Sequence, residues 1–149
     1  MRVFLDTNVI LEYFTVREEY VTAQRLFDRF HQEGDVLYMS VGSFYTMVFL
    51  IDKVLRKETN LRGESRLKAL RDIMERILRT VSVAEHDSDS LLHGLLDRRF
   101  KDIEDGCQFE LAKKVCCEML VTFNVEDFPV GADDEVKVIS PTDFLNMRS

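Results

Sequence analysis

The sequence predicts an α/β protein in which helices cover both faces of a parallel sheet. Short apolar runs alternate with longer segments of helical periodicity along the whole chain. The first run, residues 3–5, is continuously apolar and leads into Asp6, a pattern typical of a strand buried on both faces. Because parallel strands need crossover connections, which are usually helices, the alternation favours a parallel sheet with right-handed crossovers.

Five strands and seven helices follow from this pattern. The strands are predicted at residues 3–5, 36–39, 81–83, 119–123 and 136–139. Three helices are predicted at residues 8–14, 18–32 and 64–79. Two more begin after the capping residues Ser40 and Asp102, and the last two begin at residues 87–89 and at Pro141. The sequence has no internal repeat and no low-complexity linker, so residues 1–149 are expected to form a single domain.

Most of the predicted helices are amphipathic, and we expect their apolar stripes to face the sheet. The stripes are Ala23, Leu26, Phe27 and Phe30; Leu67, Leu70, Met74, Ile77 and Leu78; Leu91, Leu92, Leu95 and Leu96; and Ile103, Leu111, Ala112 and Val115. The helix behind Ser40 differs, because its apolar residues from Phe44 to Leu55 surround much of the helix. Such a helix is either central to the fold or part of an interface.

Composition limits the classes of function. The chain is 46% hydrophobic and 32% charged, as in globular proteins, and its net charge of −7 argues against a protein that simply coats nucleic acid. Residues 53–79 nevertheless hold nine Lys or Arg against four Asp or Glu, which leaves room for an acidic site beside a basic flank. No run is long enough to span a membrane and no signal peptide is evident, so we expect a cytoplasmic location without membrane attachment.

The cysteines, histidines and serines form no recognisable motif. Cys107, Cys116 and Cys117 lack the spacing of a zinc site, and we interpret Cys107 and Cys116 as small core residues on one helix. The three histidines lie on separate predicted elements, and no serine lies in a nucleophile elbow. Neither a histidine metal site nor a serine hydrolase is therefore supported.

Acidic residues gather where predicted strands end and helices begin. They lie in three places: Asp6 after the first strand; Asp102, Glu104 and Asp105 at a helix start; Glu126 and Asp127, with the amide of Asn124, after the strand at 119–123. Because ligands of open α/β sheets bind at the carboxyl ends of the strands, we expect the three places to meet at one rim. Each acid alone is explained by capping or turn formation. Together, as oxygen ligands without His or Cys, they suit Mg²⁺ or Mn²⁺, which can activate water and hold a phosphodiester.

The chain resembles the PIN domain family. The segments FLDTNVILEYF near the start, DIEDGCQFELA late in the chain and LVTFNVEDF after it match the motifs of that family in order and spacing. The resemblance implies a three-layer α/β/α sandwich around the parallel sheet. It also implies a Mg²⁺- or Mn²⁺-dependent ribonuclease, since many PIN domains have this activity, including the toxins of toxin–antitoxin pairs.

The resemblance implies roles for particular residues. Asp6 corresponds to the first acid of the family, Asp105 to the acid of the later helix, and Asn8 to the small polar residue that supports the first acid. The last acidic position falls within residues 124–127, where either Asn124 or Asp127 is expected to fill it. We expect the neighbouring acids Asp102 and Glu104 to support the site together with Asn8.

One position departs from the family pattern. PIN domains carry a Glu near the first turn of the helix behind Ser40, and Ser43 stands about there. Because losing a carboxylate lowers the ligand charge of a cation site, Glu12 or Glu104 would have to compensate.

Two functions therefore stay open. The retained acids favour metal-dependent cleavage of single-stranded RNA, whereas Ser43 favours a catalytically weak or inactive PIN-like module that binds RNA or protein. A phosphoacceptor domain of the receiver type ranks third, because the first strand ends in one acid rather than a pair.

The basic flank and the apolar helix point to partners. The basic flank consists of Lys53, Arg56, Lys57, Arg62, Arg66, Lys68 and Arg71. We expect it to steer an RNA backbone toward the acidic rim. By resemblance to toxin-like PIN domains, the helix from Phe44 to Leu55 is expected to contribute to a homodimer and to bind a small antitoxin protein.

Overall fold

The computed structural model describes residues 1–147 and contains a central parallel sheet of five strands. The strands are β1 (Arg2–Leu5), β2 (Val36–Ser40), β3 (Ser82–Ala84), β4 (Met119–Val121) and β5 (Lys137–Ile139). They lie in the order β3-β2-β1-β4-β5, so the chain builds the sheet outward from β1, first on one side and then on the other. Because the strand order changes direction at β1, the connections on its two sides lead apart and leave a crevice at the carboxyl end of β1. Open α/β sheets bind ligands in such a crevice.

Helices cover both faces of the sheet. Within the described residues they are α1 (Thr7–Phe14), α2 (Tyr20–Glu33), α3 (Val41–Glu58), α4 (Gly63–Thr80), α5 (Ser88–Leu96), α6 (Ile103–Lys114) and α7 (Pro141–Asn146). The predicted three-layer α/β/α sandwich is confirmed, and most predicted bounds agree with the observed ones to within two residues. Ser40 and Asp102 cap α3 and α6 as predicted, and Pro141 is the first residue of α7.

The core consists of two apolar clusters, one on each face of the sheet. Val3 and Leu5 of β1 point into the cluster that includes α1 to α4, whereas Phe4 between them points into the cluster beneath α6. All three side chains are fully buried. This is why the first strand is a continuous apolar run, and it fixes Asp6 at the edge of the sheet directly after it.

The apolar stripe of α5 faces away from the core, so that prediction is wrong. Its four leucines, Leu91, Leu92, Leu95 and Leu96, are 46% to 64% exposed. The buried side of α5 consists of the small residues Ser90 and Gly94 instead. A β-carbon at Gly94 would lie 2.6 Å from the Cα of Cys107, so α5 and α6 approach too closely for a larger side chain. Close approach through small residues therefore decides which side of α5 is buried.

Four further residues lie in surroundings other than those predicted. Ile103, at the start of α6, and Leu78, which adjoins the buried Ile77, are both exposed rather than facing the sheet. Cys116 is exposed and lies beyond the end of α6, in a left-handed turn (φ 56°) that leads into β4. Cys107 lies at the contact between α5 and α6 rather than in the core, and it is only partly buried.

The apolar residues of α3 divide between core and surface. Met47, Ile51 and Leu55 are buried, whereas Tyr45 and Phe49, which together form the α3 face, are 68% and 67% exposed. The helix therefore contributes to the core and also exposes apolar side chains; its part in an interface stays a prediction. Of the helices in residues 1–147, none has the length and apolar character needed to cross a membrane.

Candidate active site

Asp6 lies at the centre of the candidate site. It follows β1 directly, caps the amino terminus of α1, and is almost completely buried. Its Oδ1 accepts hydrogen bonds from the backbone N–H of Thr7 at 2.7 Å and from Nε2 of Gln108 at 3.3 Å. Its Oδ2 accepts a hydrogen bond from the hydroxyl of Thr122 at 2.8 Å. Asp6 is thus both a helix cap and a carboxylate held in one orientation by three donors.

Two residues that hold Asp6 were not found from the sequence. The apolar pattern includes Thr122 in the fourth strand, but β4 ends at Val121 and Thr122 lies just beyond its carboxyl end, beside Asp6. Its hydroxyl oxygen also accepts from the backbone N–H of Asn124 at 3.0 Å, which directs the hydroxyl proton toward Asp6. Gln108 lies three residues after Asp105 on α6, and this helical spacing was the signal that could have revealed it.

The acids at the start of α6 share the electrostatic environment of Asp6. Asp102 accepts hydrogen bonds from the backbone N–H groups of Glu104 and Asp105, at 2.8 and 3.3 Å. Burial raises the pKa of Asp105 to about 7, and the charges of Asp6, Asp102, Asp127 and Glu104 add to that rise. Burial and the charges of Asp102 and Asp6 likewise raise the pKa of Glu104.

Burial also raises the pKa of Asp6. The hydrogen bonds from Thr122, Gln108 and Thr7 offset part of this rise because they stabilise the charged carboxylate, while the charge of Asp102 adds to it. The carboxyl groups therefore disfavour one another's ionisation, and a bound cation would relieve this repulsion.

Asp105 and Asp127 line a cleft of about 510 Å³ that carries both signs of charge; Asp6 is not among its lining residues, although the charge of Asp6 acts on Asp105. Its lining residues are Arg99, Lys101, Asp102, Asp105, Glu126, Asp127 and Pro129. Arg99 is neutralised by Asp97 and Asp134, at 2.9 and 3.2 Å. Among residues 1–147, Lys101 has no ion-pair partner, so its ammonium group is available to an anionic ligand in the cleft.

The loop after β4 contributes the last candidate ligands. Asp127 ends a short 3₁₀ turn, Val125–Asp127, and lines the cleft, whereas Asn124 precedes this turn with an exposed side chain. Oδ1 of Asn8 lies 3.5 Å from the backbone nitrogen of Phe123 and accepts its N–H, so Asn8 ties the start of α1 to this loop. The structure thus brings Asp6, Asp105 and Asp127 to one rim, with Asn124 at its border.

Ser43 is fully buried, and its hydroxyl group is hydrogen-bonded to other hydroxyl groups. Its Oγ lies 2.7 Å from the hydroxyl oxygen of Thr7 and accepts from the hydroxyl of Ser40 at 3.0 Å. Glu12 lies in the last turns of α1, where its carboxylate accepts from the backbone N–H of Glu19 at 2.8 Å and faces the Arg17 guanidinium. Of the two acids considered as substitutes for a Glu at Ser43, Glu104 shares the electrostatic environment of Asp6 and Glu12 is engaged elsewhere.

The donors at this rim fit a hydrated divalent cation. They are oxygen atoms, and Gln108 adds a buried carbonyl oxygen without a hydrogen-bond partner among residues 1–147. In that part of the chain, no three His, Cys, Asp or Glu side chains come together as a ready-made metal cluster. Mg²⁺ is usually held by one or two carboxylates and keeps several waters, so this arrangement suits it better than an ion that needs only protein ligands.

Much of the basic flank is neutralised by ion pairs. Arg56 and Arg66 both pair with Asp52, at 2.9 and 3.0 Å, and Lys68 pairs with Asp72 at 2.9 Å. The guanidinium of Arg62 donates to backbone carbonyl oxygens of its own loop. Lys53, Lys57 and Arg71 have no ion-pair partner within the described part of the chain. Lys53 lies about 15 Å along α3 from Ser43, at 1.5 Å per residue.

Stability should depend on pH through Asp105. Because its pKa rises from 3.8 to about 7 on folding, the native protein binds more protons than the unfolded chain between these values. The free energy of unfolding is therefore expected to fall as pH increases through this range, and Asp105→Asn should flatten the decline. Urea titrations at pH 4.5 to 7.5 test this; parallel curves for the two proteins would contradict it.

The fold and the acidic cleft define a class of α/β proteins that bind ligands through carboxylates at the carboxyl edge of a parallel sheet. Within that class, the chain belongs to the PIN domain family, because the family model described as PIN domain matches residues 2–126. Comparison with curated proteins finds no match.

Solved structures share the fold over nearly the whole chain. VapBC-1 from nontypeable Haemophilus influenzae is 20% identical, covers 95% of this chain and 99% of its own, and has a TM-score of 0.65. VapBC2 from Rickettsia felis, bound to a promoter DNA fragment, is 11% identical over 94% and 98%, with a TM-score of 0.63. VapC20 from Mycobacterium tuberculosis, a Sarcin-Ricin loop cleaving toxin, is 18% identical over 79% and 86%, with a TM-score of 0.54. At these identities the likeness shows the fold.

Proposed function

We propose that this PIN domain is a Mg²⁺- or Mn²⁺-dependent ribonuclease that cleaves single-stranded RNA and acts as the toxin of a toxin–antitoxin pair. The observation that carries the proposal is the fixed, buried carboxylate of Asp6 beside Asp105, whose pKa is raised to about 7 by burial and neighbouring acids. One of the similar structures is named as a Sarcin-Ricin loop cleaving toxin, and two are VapBC complexes.

Asp6 and Asp105 would hold the cation, with Asp127 or Asn124 completing the rim. A bound Mg²⁺ or Mn²⁺ would lower the pKa of water and offset the charge that develops on a phosphodiester. Thr7, Thr122 and Gln108 keep Asp6 in one orientation, so it loses little conformational freedom when it binds a ligand. Lys101 would hold a phosphate of the RNA at the cleft, and the unpaired Lys53, Lys57 and Arg71 would attract the backbone from further away.

Cleavage of short single-stranded RNAs in Mn²⁺ tests the proposal. We expect cleavage that EDTA abolishes and that weakens as salt rises, because counterion release contributes less to RNA binding at high salt. Asp6→Asn, purified in the same way, controls for contaminating nuclease. Equal cleavage by the two proteins would favour the second candidate, a binding module without activity, which is supported by the engagement of Ser43 with Thr7 and Ser40.

Two exposed apolar surfaces fit the two proposed protein partners. The sequence predicted both contacts on the helix from Phe44 to Leu55, but the exposed leucine face of α5, which is Leu91, Leu92, Leu95 and Leu96, offers a second apolar surface. We therefore assign the pairing with a second copy to the leucine face of α5 and the antitoxin to the α3 face. Antiparallel pairing of two α5 helices would bring Asp89, at the amino end of one, near Arg98, just beyond the carboxyl end of the other. Both residues are exposed, and neither has an ion-pair partner in residues 1–147.

Light scattering at increasing protein concentration tests the homodimer. We expect a dimer whose dissociation constant rises at least tenfold in Leu92→Glu, because a buried charge would replace an apolar contact. Tyr45→Glu on the α3 face is the matched control and should dimerise like the wild type. A wild-type protein that stays monomeric at high concentration, or a Leu92→Glu variant with unchanged dimerisation, would contradict this assignment.

A further inference from the structure

The two ends of the Gln108 side-chain amide have different surroundings. The side chain is 2% exposed, and its Nε2 donates to Oδ1 of Asp6 at 3.3 Å. Its Oε1 is buried and has no hydrogen-bond partner among residues 1–147. The reverse orientation of the amide would place a carbonyl oxygen against the Asp6 carboxylate, so Nε2 is the end that faces Asp6. A buried carbonyl without a partner is unfavourable, which indicates that this oxygen serves a group outside the chain.

Most hydrogen-bond acceptor positions of the Asp6 carboxylate are already used, so Asp6 cannot hold a hydrated ligand by itself. A carboxylate offers about four acceptor positions, two on each oxygen. Thr7 and Gln108 use both positions of Oδ1, and Thr122 uses one position of Oδ2. One position on Oδ2 is left for a cation, so further oxygen atoms near Asp6 are needed to hold its hydration shell.

Ser43 cannot supply such an oxygen in this structure. Its hydroxyl contacts those of Thr7 and Ser40, and its side chain is fully buried between them. Among residues 1–147, the buried side-chain oxygen without a hydrogen-bond partner is Oε1 of Gln108, which belongs to a residue that already holds Asp6.

We infer that Gln108 is a positioning residue with two functions: its Nε2 orients Asp6, and its Oε1 accepts a hydrogen bond from the hydration shell of the bound cation. Gln108 thereby supplies the acceptor that Ser43 does not. This inference rests on the proposed metal dependence. It concerns cation affinity directly, since partners outside the ligand shell commonly change metal affinity ten- to a hundredfold.

Mn²⁺ binding to the full chain without RNA tests the inference by isothermal titration calorimetry. Gln108→Met keeps the side-chain length but removes both polar groups, and it should weaken Mn²⁺ binding by about ten- to a hundredfold. Gln108→Glu keeps an acceptor but loses the Nε2 donor to Asp6, so it should weaken Mn²⁺ binding less than Gln108→Met does. Gln24→Met, at an exposed glutamine of α2, is the matched control and should bind like the wild type.

The outcomes separate the alternatives. Unchanged affinity in Gln108→Met, or equal weakening in Gln108→Met and Gln108→Glu, would overturn the acceptor function. A wild type that binds no Mn²⁺ would overturn the proposed metal dependence as well. Thermal melting in EDTA checks that each variant is folded. If Gln108→Met does not fold, Gln108→Asn replaces it, because it keeps both groups but shortens their reach; it should weaken binding about tenfold, and an unchanged affinity would overturn the inference.

Discussion

Replacing Asp105 with Asn is expected to reduce Mn²⁺-dependent RNA cleavage by more than about a hundredfold. Loss of a partner outside the ligand shell already costs ten- to a hundredfold in metal affinity or activity, and Asp105 would bind the cation directly. The same change should raise the free energy of unfolding at pH 7.5, because it removes a carboxylate whose ionisation burial and four neighbouring acids disfavour. Lower activity together with higher stability is the signature of a functional carboxylate.

Initial rates on a fluorescent single-stranded RNA and urea titrations measure the two effects. Asp28→Asn, at an exposed carboxylate of α2 on the other side of the sheet, is the control and should change neither quantity. Cleavage by Asp105→Asn at the wild-type rate would exclude Asp105 as a ligand. Loss of cleavage with a lower free energy of unfolding would instead indicate that Asp105 has a structural function.

Replacing Gly94 with Ala is expected to lower the free energy of unfolding by about 1–3 kcal/mol. The added β-carbon would lie 2.6 Å from Cα and 2.8 Å from the backbone nitrogen of Cys107. Because these are backbone atoms, they cannot rotate aside as a side chain could, and α5 and α6 must move apart. Gly106 of α6 also packs closely against α5, so the helices have no free space there into which to shift. The change should therefore disturb the helix that carries Asp105.

Urea denaturation of Gly94→Ala measures this effect. Gly131→Ala is the matched control, because a β-carbon there meets no atom within 4 Å and the backbone does not have a positive φ. It should change the free energy of unfolding by no more than about 0.5 kcal/mol. Equal stability of the two variants would mean that α5 and α6 separate easily, and the packing argument for the exposed leucines would fail.

The sequence predicted the sheet well because its strands are buried on both faces, which leaves short apolar runs such as residues 3–5. It predicted the acids at the rim for a related reason, since Asp6 and Asp102 stand at strand and helix ends. It missed Thr122 and Gln108 because each depends on a contact between elements far apart in the chain. It placed Leu91 to Leu96 in the core because periodicity identifies an apolar side and says nothing of the close approach at Gly94.

The hydrogen bond from Thr122 to Asp6 joins residues 116 positions apart, and the backbone N–H of Asp6 donates to the carbonyl oxygen of Val121, the last residue of β4. During synthesis, Asp6 leaves the ribosome well before Thr122 does. The partly made chain therefore carries Asp6 before the hydroxyl group that holds its Oδ2 exists, and one edge of β1 stays unpaired until β4 is made. The cleft can assemble only after α6 and β4 have both been made, so a chain that stalls before β4 lacks one of the three donors that fix the Asp6 carboxylate.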